Sequence, residues 1–477
     1  MSGPMIGEGL RRVPRWLLIG LAIRIVLIPF HHPWDLQTWY NMFVDLAHNH
    51  SPYETLRYLT YSTRSQWGLI HMDGAKVLPV GQELFYEYYA YPPLPLLLYY
   101  PLAKLYALFR PLEYQFVVEG ALAAHHVPLA ILALFKAPLI VADIGVAVLL
   151  WRLAGEARAR AYFLNPFVIL VSAAWMIEDL MILFVLLAFY LVTRKRYELA
   201  GLASGLGVLV KWTPGILWPV IGLWLLAERA PWRRQAAFHA VFLATCVAGI
   251  APVWDGVRLV LQFHAMRPGA NLSPHILLYV LAQWHNPDIA WYYHVLSPFV
   301  GMVTLPLALG AAYLAQWRGR LPLATGACLA VVAFFLGSKI VNEPYVCVLL
   351  PLLLWEEAER PSEAKAFVFK AAYALPLAYA IINVPIPLFI VPAYLQVVPW
   401  DPTSDYWIGL LRQAVPGRWH ALALAGLAFC FVGVMLYAWR VLTAEVGDAA
   451  VRQGAHRPDP DRARIGPAYR PVAQDAS

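Results

Sequence analysis

Asp35 is the one acid, among aromatics, at the start of HHPWDLQTWYNMFVDLAHNHSPYETLRY (residues 31–58), directly after the first apolar run. A carboxylate in that place could take the proton from an acceptor hydroxyl, or orient it. Polar groups also interrupt the apolar sequence at Glu178-Asp179 and at Lys211 in VKWTP. They recur at His264, Arg267, Asn271, Ser273 and His275 in the loop 253–289, and at Lys339, Asn342 and Glu343 in SKIVNEPY. Cations of this kind hold a departing phosphate, on which negative charge grows in the transition state. Arg offers planar two-pronged contacts and Lys a point charge. The set suits sugar transfer from a polyprenyl-phosphate donor, with Asp35 catalytic and Glu178, Asp179, Lys211, His264, Arg267, Lys339 and Asn342 binding substrate. Each residue also has a plainer reading. Asp35 could be a helix N-cap. Glu178 and Asp179 could be helix-start acids favoured by the dipole, and Lys211 a snorkelling lysine. His264 and His275 could be ordinary loop polar groups. No spacing reads as a metal motif, so no cofactor is expected, and a metal requirement stays open.

The element that must hold Asp35 is short. From 36 to 46, Leu36, Trp39, Tyr40, Phe43 and Leu46 fall on one helical face, with Gln37, Thr38, Asn41 and Asp45 off it. A run this short and polar cannot cross a bilayer, which predicts a helix lying on the membrane surface, closed by Ser51-Pro52-Tyr53. The following stretch, to Tyr91, is rich in aromatics: Tyr53, Tyr58, Tyr61, Trp67, Phe85, Tyr86, Tyr88 and Tyr89. They read mostly as an interfacial belt, or else as stacking platforms for sugar rings.

The chain has 477 residues, 60% hydrophobic and only 14% charged, against about 25% charged in soluble domains. Apolar runs recur along nearly its whole length, which predicts an all-α polytopic membrane protein. Residues 1–441 form one multi-span domain in which 31–128 is an outer loop, and 442–477 read as a disordered cytoplasmic tail. The first span follows Arg11, Arg12 and Arg15 without a small-residue cleavage site, and so reads as a retained helix. Cys246, Cys328, Cys347 and Cys430 all fall in spans, which excludes a disulfide framework or zinc site. The net charge of +7 is explained by basic loops and tail rather than by nucleic-acid binding.

The expected crossings are 16–30, 129–151, 162–175, 180–192, 199–210, 214–227, 236–252, 291–315, 321–337, 344–355, 366–382 and 419–440, about twelve. The proline-interrupted segment 92–109 decides the topology. If it does not span, Arg152, Arg158 and Arg160, Arg194-Lys195-Arg196, Arg229 with Arg233 and Arg234, Arg318 with Arg320, and Arg360 with Lys365 are all cytoplasmic. If it spans, all of them lie outside. The positive-inside rule therefore makes 92–109 interfacial or re-entrant, with both termini cytoplasmic. That topology places Asp35 and the other candidate groups together on the outer face. Arg24, Lys136 and Asp143 remain inside spans. Lys136 and Asp143 share a helix face, and the three read as structural groups that pair within the bundle.

At these residues the chain resembles the GT-C superfamily of membrane glycosyltransferases, and within it the GPI mannosyltransferase I family and related archaeal and bacterial proteins. The likeness rests on Asp35-Leu36-Gln37 with Ser51-Pro52-Tyr53 and Tyr91-Pro92-Pro93-Leu94, and on Lys136 with Asp143 and Arg152. It continues with Leu164-Asn165-Pro166 leading to Glu178 and Asp179, with Lys211-Trp212-Thr213-Pro214 followed by Phe263-His264-Ala265-Met266-Arg267, and with Lys339-Ile340-Val341-Asn342-Glu343-Pro344-Tyr345. Where the family carries a paired Asp-x-Asp, this chain has Pro33-Trp34-Asp35, with one acid. The resemblance implies a GT-C-like bundle with interfacial helices in the first outer loop. It implies a first-loop acid as base, a mannose donor on dolichyl or another polyprenyl phosphate, and an inverting single displacement. The implied partners are that lipid-linked donor, a glycolipid or lipid-linked glycan acceptor and membrane lipid, with no nucleic acid. The expected location is a prokaryotic or archaeal cell membrane, or else the endoplasmic reticulum membrane. A flippase or carrier of lipid-linked sugars is the alternative. It would need ionisable groups along a path through the membrane. Asn49-His50-Ser51 and Asn271-Leu272-Ser273 match the glycosylation pattern, but each precedes a proline.

Overall fold

Apolar runs punctuated by Pro, Gly and Arg fold as helices nearly throughout the computed structural model, which describes residues 13–30, 33–53, 84–85, 89–112, 117–118, 128–175, 179–266, 270–276, 287–383 and 417–455. In chain order these are α1 Arg15–Val26, α2 Pro33–Ala47, α3 Leu94–Ala107, α4 Leu129–Ala154, α5 Glu156–Phe163, α6 Pro166–Ile169, α7 Asp179–Thr193, α8 Tyr197–Val210, α9 Trp218–Ala227, α10 Trp232–Ile250, α11 Trp254–Met266, α12 Pro287–Gly319, α13 Leu323–Gly337, α14 Val346–Glu359, α15 Glu363–Asn383 and α16 Gly417–Ala455. Among the described residues five helical stretches are long and apolar enough to cross a membrane: Leu129–Ala154, Trp232–Gln262, Phe299–Gly319, Glu363–Asn383 and Leu422–Ala444. α13 and α14 are buried on nearly all sides and form the centre, as helices apolar all round must be. α10, α12 and α16 instead leave Leu243, Val247, Val303, Leu307, Phe429 and Leu436 uncovered. Apolar faces of that kind suit contact with lipid.

Pairwise contacts orient the helices. The Trp16 indole donates to Glu156 at 2.8 Å, and Arg158 pairs with Glu357 at 3.1 Å. The rings of Phe189 and Trp355 lie 5.6 Å apart. The start of α1 and the ends of α4, α7 and α14 therefore share one end of the bundle, where the arginine-rich turns lie. The far end of α1 meets the first part of α4 at the opposite end, where the Lys136 ammonium donates to the Leu27 carbonyl at 2.8 Å. The chain thus leaves α1 and enters α4 at that same end. Its helix α3 packs on α2 through Trp39–Tyr99 and Phe43–Tyr106 contacts, and the Lys104 ammonium donates to the Ala47 carbonyl at 2.7 Å.

Several expectations need correction. The run 162–175 is not one helix. Pro166 lacks an N–H and disfavours a helical Asn165, so the chain restarts there. The Asn165 side chain caps the new helix by accepting from the Phe167 and Val168 amides at 2.9 and 3.3 Å. α6 then widens into a π-helical turn, Leu170–Ala174. Over residues 39–47 α2 is covered on its polar face as well, because Asn41 and Asp45 are buried along with Tyr40 and Phe43. Tyr53 and Tyr89 are buried in the same cluster rather than arrayed as a belt. Two pairs of two-residue strands interrupt the all-α pattern. β1 Leu84–Phe85 pairs with β2 Val117–Val118 antiparallel, and β3 Ala270–Asn271 with β4 Ile340–Val341 parallel. α16 runs on to Ala455, past the boundary expected at Val441. Tyr58, Tyr61, Trp67 and the tail 456–477 lie outside the described residues.

Small residues bring α8 and α10 close and parallel. A Cβ on Gly201 would meet the Phe238 carbonyl oxygen at 2.4 Å, whereas one on Gly426 in α16 would meet nothing within 4 Å. Gly→Ala gains up to about 1 kcal/mol in helix propensity, but overpacking costs about 1–3 kcal/mol. Gly201→Ala is therefore expected to lower the thermal midpoint and Gly426→Ala to keep or raise it. Unfolding of the two purified variants beside the wild type checks the contrast.

Candidate functional site at the end opposite the arginine-rich turns

α8 ends at Val210, and Lys211 is extended, because Pro214 opens a tight 3-10 turn, Thr213–Leu217, that cannot continue the helix. This places the Lys211 ammonium between two rings, 4.2 Å from the centre of Tyr345 and 5.6 Å from that of Tyr91. Aromatic faces attract a cation through the ring quadrupole, so the two rings hold the ammonium at this end of the bundle. Trp39 of α2 stacks on Tyr91 at 5.4 Å, with the planes 19° apart. Tyr89 and Tyr53 extend the aromatic wall, their ring centres 5.5 Å apart. The Tyr53 hydroxyl donates to the Tyr91 carbonyl at 3.1 Å, and that of Tyr89 to Pro92 at 2.7 Å. Burial pushes both phenols well above their ordinary pKa, so neither serves as a base.

α11 closes another side. Gly256 lets it approach Tyr53, since a Cβ there would lie 2.3 Å from the ring. His264, near its end, shares a 2.9 Å hydrogen bond with the Ala90 carbonyl. The next carbonyl, Ala265, accepts from the Lys339 ammonium at 2.6 Å. Gly301 of α12 makes room for the Lys339 stem, which a Cβ would meet at 2.7 Å. The β3–β4 bridge ties the two loops together. The Asn271 amide donates to the Asn342 side-chain oxygen at 2.7 Å, and the Ser273 hydroxyl donates to the Ser338 carbonyl at 2.8 Å. His275 is buried beside Lys339. Burial first, and the lysine charge second, push its pKa below the usual imidazole value, so the ring is neutral at pH 7.

The structure thus brings together Lys211, His264, Lys339 and Asn342, four of the residues singled out by sequence. Asp35 lies in the first turn of α2, one turn before Trp39. The helix begins at Pro33, a favoured first position, so Asp35 is not the N-cap. Asp179 is the first residue of α7, and the neighbouring Leu180 packs against the aromatic cluster. The side chains of Asp35 and Asp179, and all of Glu178 and Arg267, lie outside the described residues. Sequence reasoning left Tyr91, Tyr345 and Trp39 out of the site. Their signal was adjacency to the candidate motifs, since Tyr345 closes the SKIVNEPY run and Trp39 follows Asp35 by one helical turn.

Within the bundle, Arg24 forms an ion pair with Asp143 and donates to the Gly20 and Phe163 carbonyls, each at 3.0 Å. The Ser172 hydroxyl donates to the same carboxylate at 3.1 Å. Arg24 and Asp143 thus pair as the sequence suggested. Lys136 instead meets main-chain carbonyls. Among the described residues no group of three or more His, Cys, Asp or Glu stands close enough to hold a metal ion. The chain matches no protein-family model, and no curated protein matches it.

Proposed function

We propose that the protein is a membrane glycosyltransferase of GT-C type. It moves a sugar, most simply mannose, from a polyprenyl or dolichyl phosphate to a glycolipid or lipid-linked acceptor on the extracytoplasmic face. The observation that carries this reading is the convergence of sequence-distant segments at one end of the bundle. Lys211, His264 and Lys339 stand there with the aromatic wall and the first turn of α2, opposite the arginine-rich turns. In this reading the arginine-rich turns are cytoplasmic by the positive-inside rule, and the opposite end is outside. In the proposed reaction the acceptor oxygen attacks the anomeric carbon as its proton passes to Asp35. The bond to the phosphate oxygen breaks with inversion, and the polyprenyl phosphate leaves with the electron pair. Lys211 and Lys339 balance its charge, and Glu178 and Asp179 shape the sugar or acceptor site. The carrier reading needs ionisable groups along a path through the membrane, whereas Arg24 and Asp143 pair with each other and Lys136 meets main-chain carbonyls.

The test is sugar transfer by purified protein, using radiolabelled polyprenyl-phosphate sugars with a membrane lipid extract as acceptor pool. Transfer of label supports the reading. No transfer from any donor, together with movement of labelled lipid across liposomes, would replace it with the carrier. Lys211→Met is expected to raise the donor KM about 10–100-fold, the equivalent of losing a charge-assisted contact of roughly 1.5–3 kcal/mol. Lys211→Arg is expected to stay near wild type, and an unchanged donor KM in the Met variant would remove Lys211 from the phosphate site.

A further inference from the structure

Lys136 is fully buried in α4 at the end that carries the candidate site, and no ion pair neutralises it among the described residues. Asp143, two helical turns on, is engaged by Arg24. The Lys136 ammonium instead donates to main-chain carbonyls: Leu27 at 2.8 Å, Phe30, Ala173, and Ala174 at 3.5 Å. Leu27 caps the C-terminal end of α1, and Phe30 lies in the turn after it. Ala173 and Ala174 end the π-helical turn. Carbonyls at helix C-termini lack partners within the helix and carry partial negative charge. One cation therefore bridges the end of α1, where the Leu27 carbonyl also accepts from the Phe30 amide, to the end of the π-helical turn. The chain leaving the first end leads into Pro33 and Asp35. The chain leaving the second leads into Glu178 and Asp179.

We infer that Lys136 is a positioning residue: it clamps the roots of the two acid-bearing segments and so fixes the acids relative to one another. The clamp stands on the carbonyl contacts alone, and only its consequence for turnover rests on the proposed reaction. A lysine buried merely to fill space would be replaced without cost by methionine, of similar length and no charge. A clamp cannot be, because methionine supplies no donor.

Hydrogen–deuterium exchange of the full-length protein in nanodiscs, read beside steady-state sugar transfer, tests this. Lys136→Met is expected to speed exchange at least about tenfold in peptides covering 28–36 and 173–181, with the arginine-rich turns near 195 and 319 unchanged. It is expected to lower kcat about 100-fold with donor KM nearly unchanged, the size of effect that a misplaced reacting group produces. Lys136→Arg, which keeps a charged donor, is expected to restore part of both. Unchanged exchange in either segment, or a uniform rise along the chain, overturns the clamp. If Lys136→Met is not monodisperse, Lys136→Leu, which likewise supplies no donor, decides by the same two patterns. Local exchange that rises as expected, in a protein whose wild type transfers no sugar, would leave the clamp standing and remove the proposed reaction instead.

Discussion

Asp35→Asn is expected to lower sugar transfer by about 10²–10⁴-fold, the range a positioned general base contributes, while donor binding stays within about twofold. The substitution separates two roles cleanly. Asp35 lies in the first turn of α2, where a carboxylate interacts favourably with the helix dipole. That interaction is worth about 0.3–1 kcal/mol. A loss of 10²–10⁴ in rate corresponds to roughly 2.7–5.4 kcal/mol of transition-state stabilisation. A purely structural acid cannot supply that difference. Measuring turnover, donor binding and thermal midpoint on the same preparations distinguishes the cases. Lost turnover with a midpoint shift of a degree or two assigns Asp35 to chemistry. Turnover that survives in Asp35→Asn leaves Asp35 a first-turn acid and moves the search for a base to Glu178 and Asp179.

Arg24→Met is expected to destabilise the folded protein by about 3–5 kcal/mol, because it leaves the Asp143 carboxylate buried without its counter-charge. Arg24 has three further contacts: the Gly20 carbonyl, the Phe163 carbonyl and the Phe163 ring face, 3.7 Å away. The Ser172 hydroxyl alone cannot compensate a carboxylate at this depth. The double variant Arg24→Met/Asp143→Leu is expected to recover most of the loss, because it removes both charges and leaves apolar groups of similar volume. Thermal unfolding of the wild type, both single variants and the double variant gives the coupling directly. Additive losses would show that the two side chains act independently, against the pairing described above. The same series bears on function. A double variant that folds and still transfers sugar shows that the ion pair is scaffold, whereas a folded but inactive one would assign the pair to the reaction.

Much of the architecture was legible in the sequence because it is encoded locally. Apolar run length and the Pro, Gly and Arg residues that punctuate it set the helix ends. The observed Asp179–Thr193, Tyr197–Val210 and Leu323–Gly337 accordingly fall within a few residues of the runs read from hydropathy. The helix carrying Asp35 was visible from the spacing of Trp39, Tyr40, Phe43 and Leu46, and it extends over Pro33–Ala47. The run 162–175 was misread because its average hydropathy conceals the capping signal in Asn165-Pro166. The burial of Asn41 and Asp45 was not legible, because periodicity reports the face that is apolar, and not what later covers the other one.

By itself the sequence determined where helices form, which turns are arginine-rich and which polar groups interrupt the apolar runs, since each is a property of neighbouring residues. Only the tertiary structure decided which of those groups meet. Lys211 finds Tyr91 and Tyr345, and the Asn271 side chain reaches that of Asn342 across a long stretch of chain. Lys136 is the clearest case. Its partners are main-chain carbonyls, which every residue type carries alike, so no pairing of side chains in the sequence could have announced them.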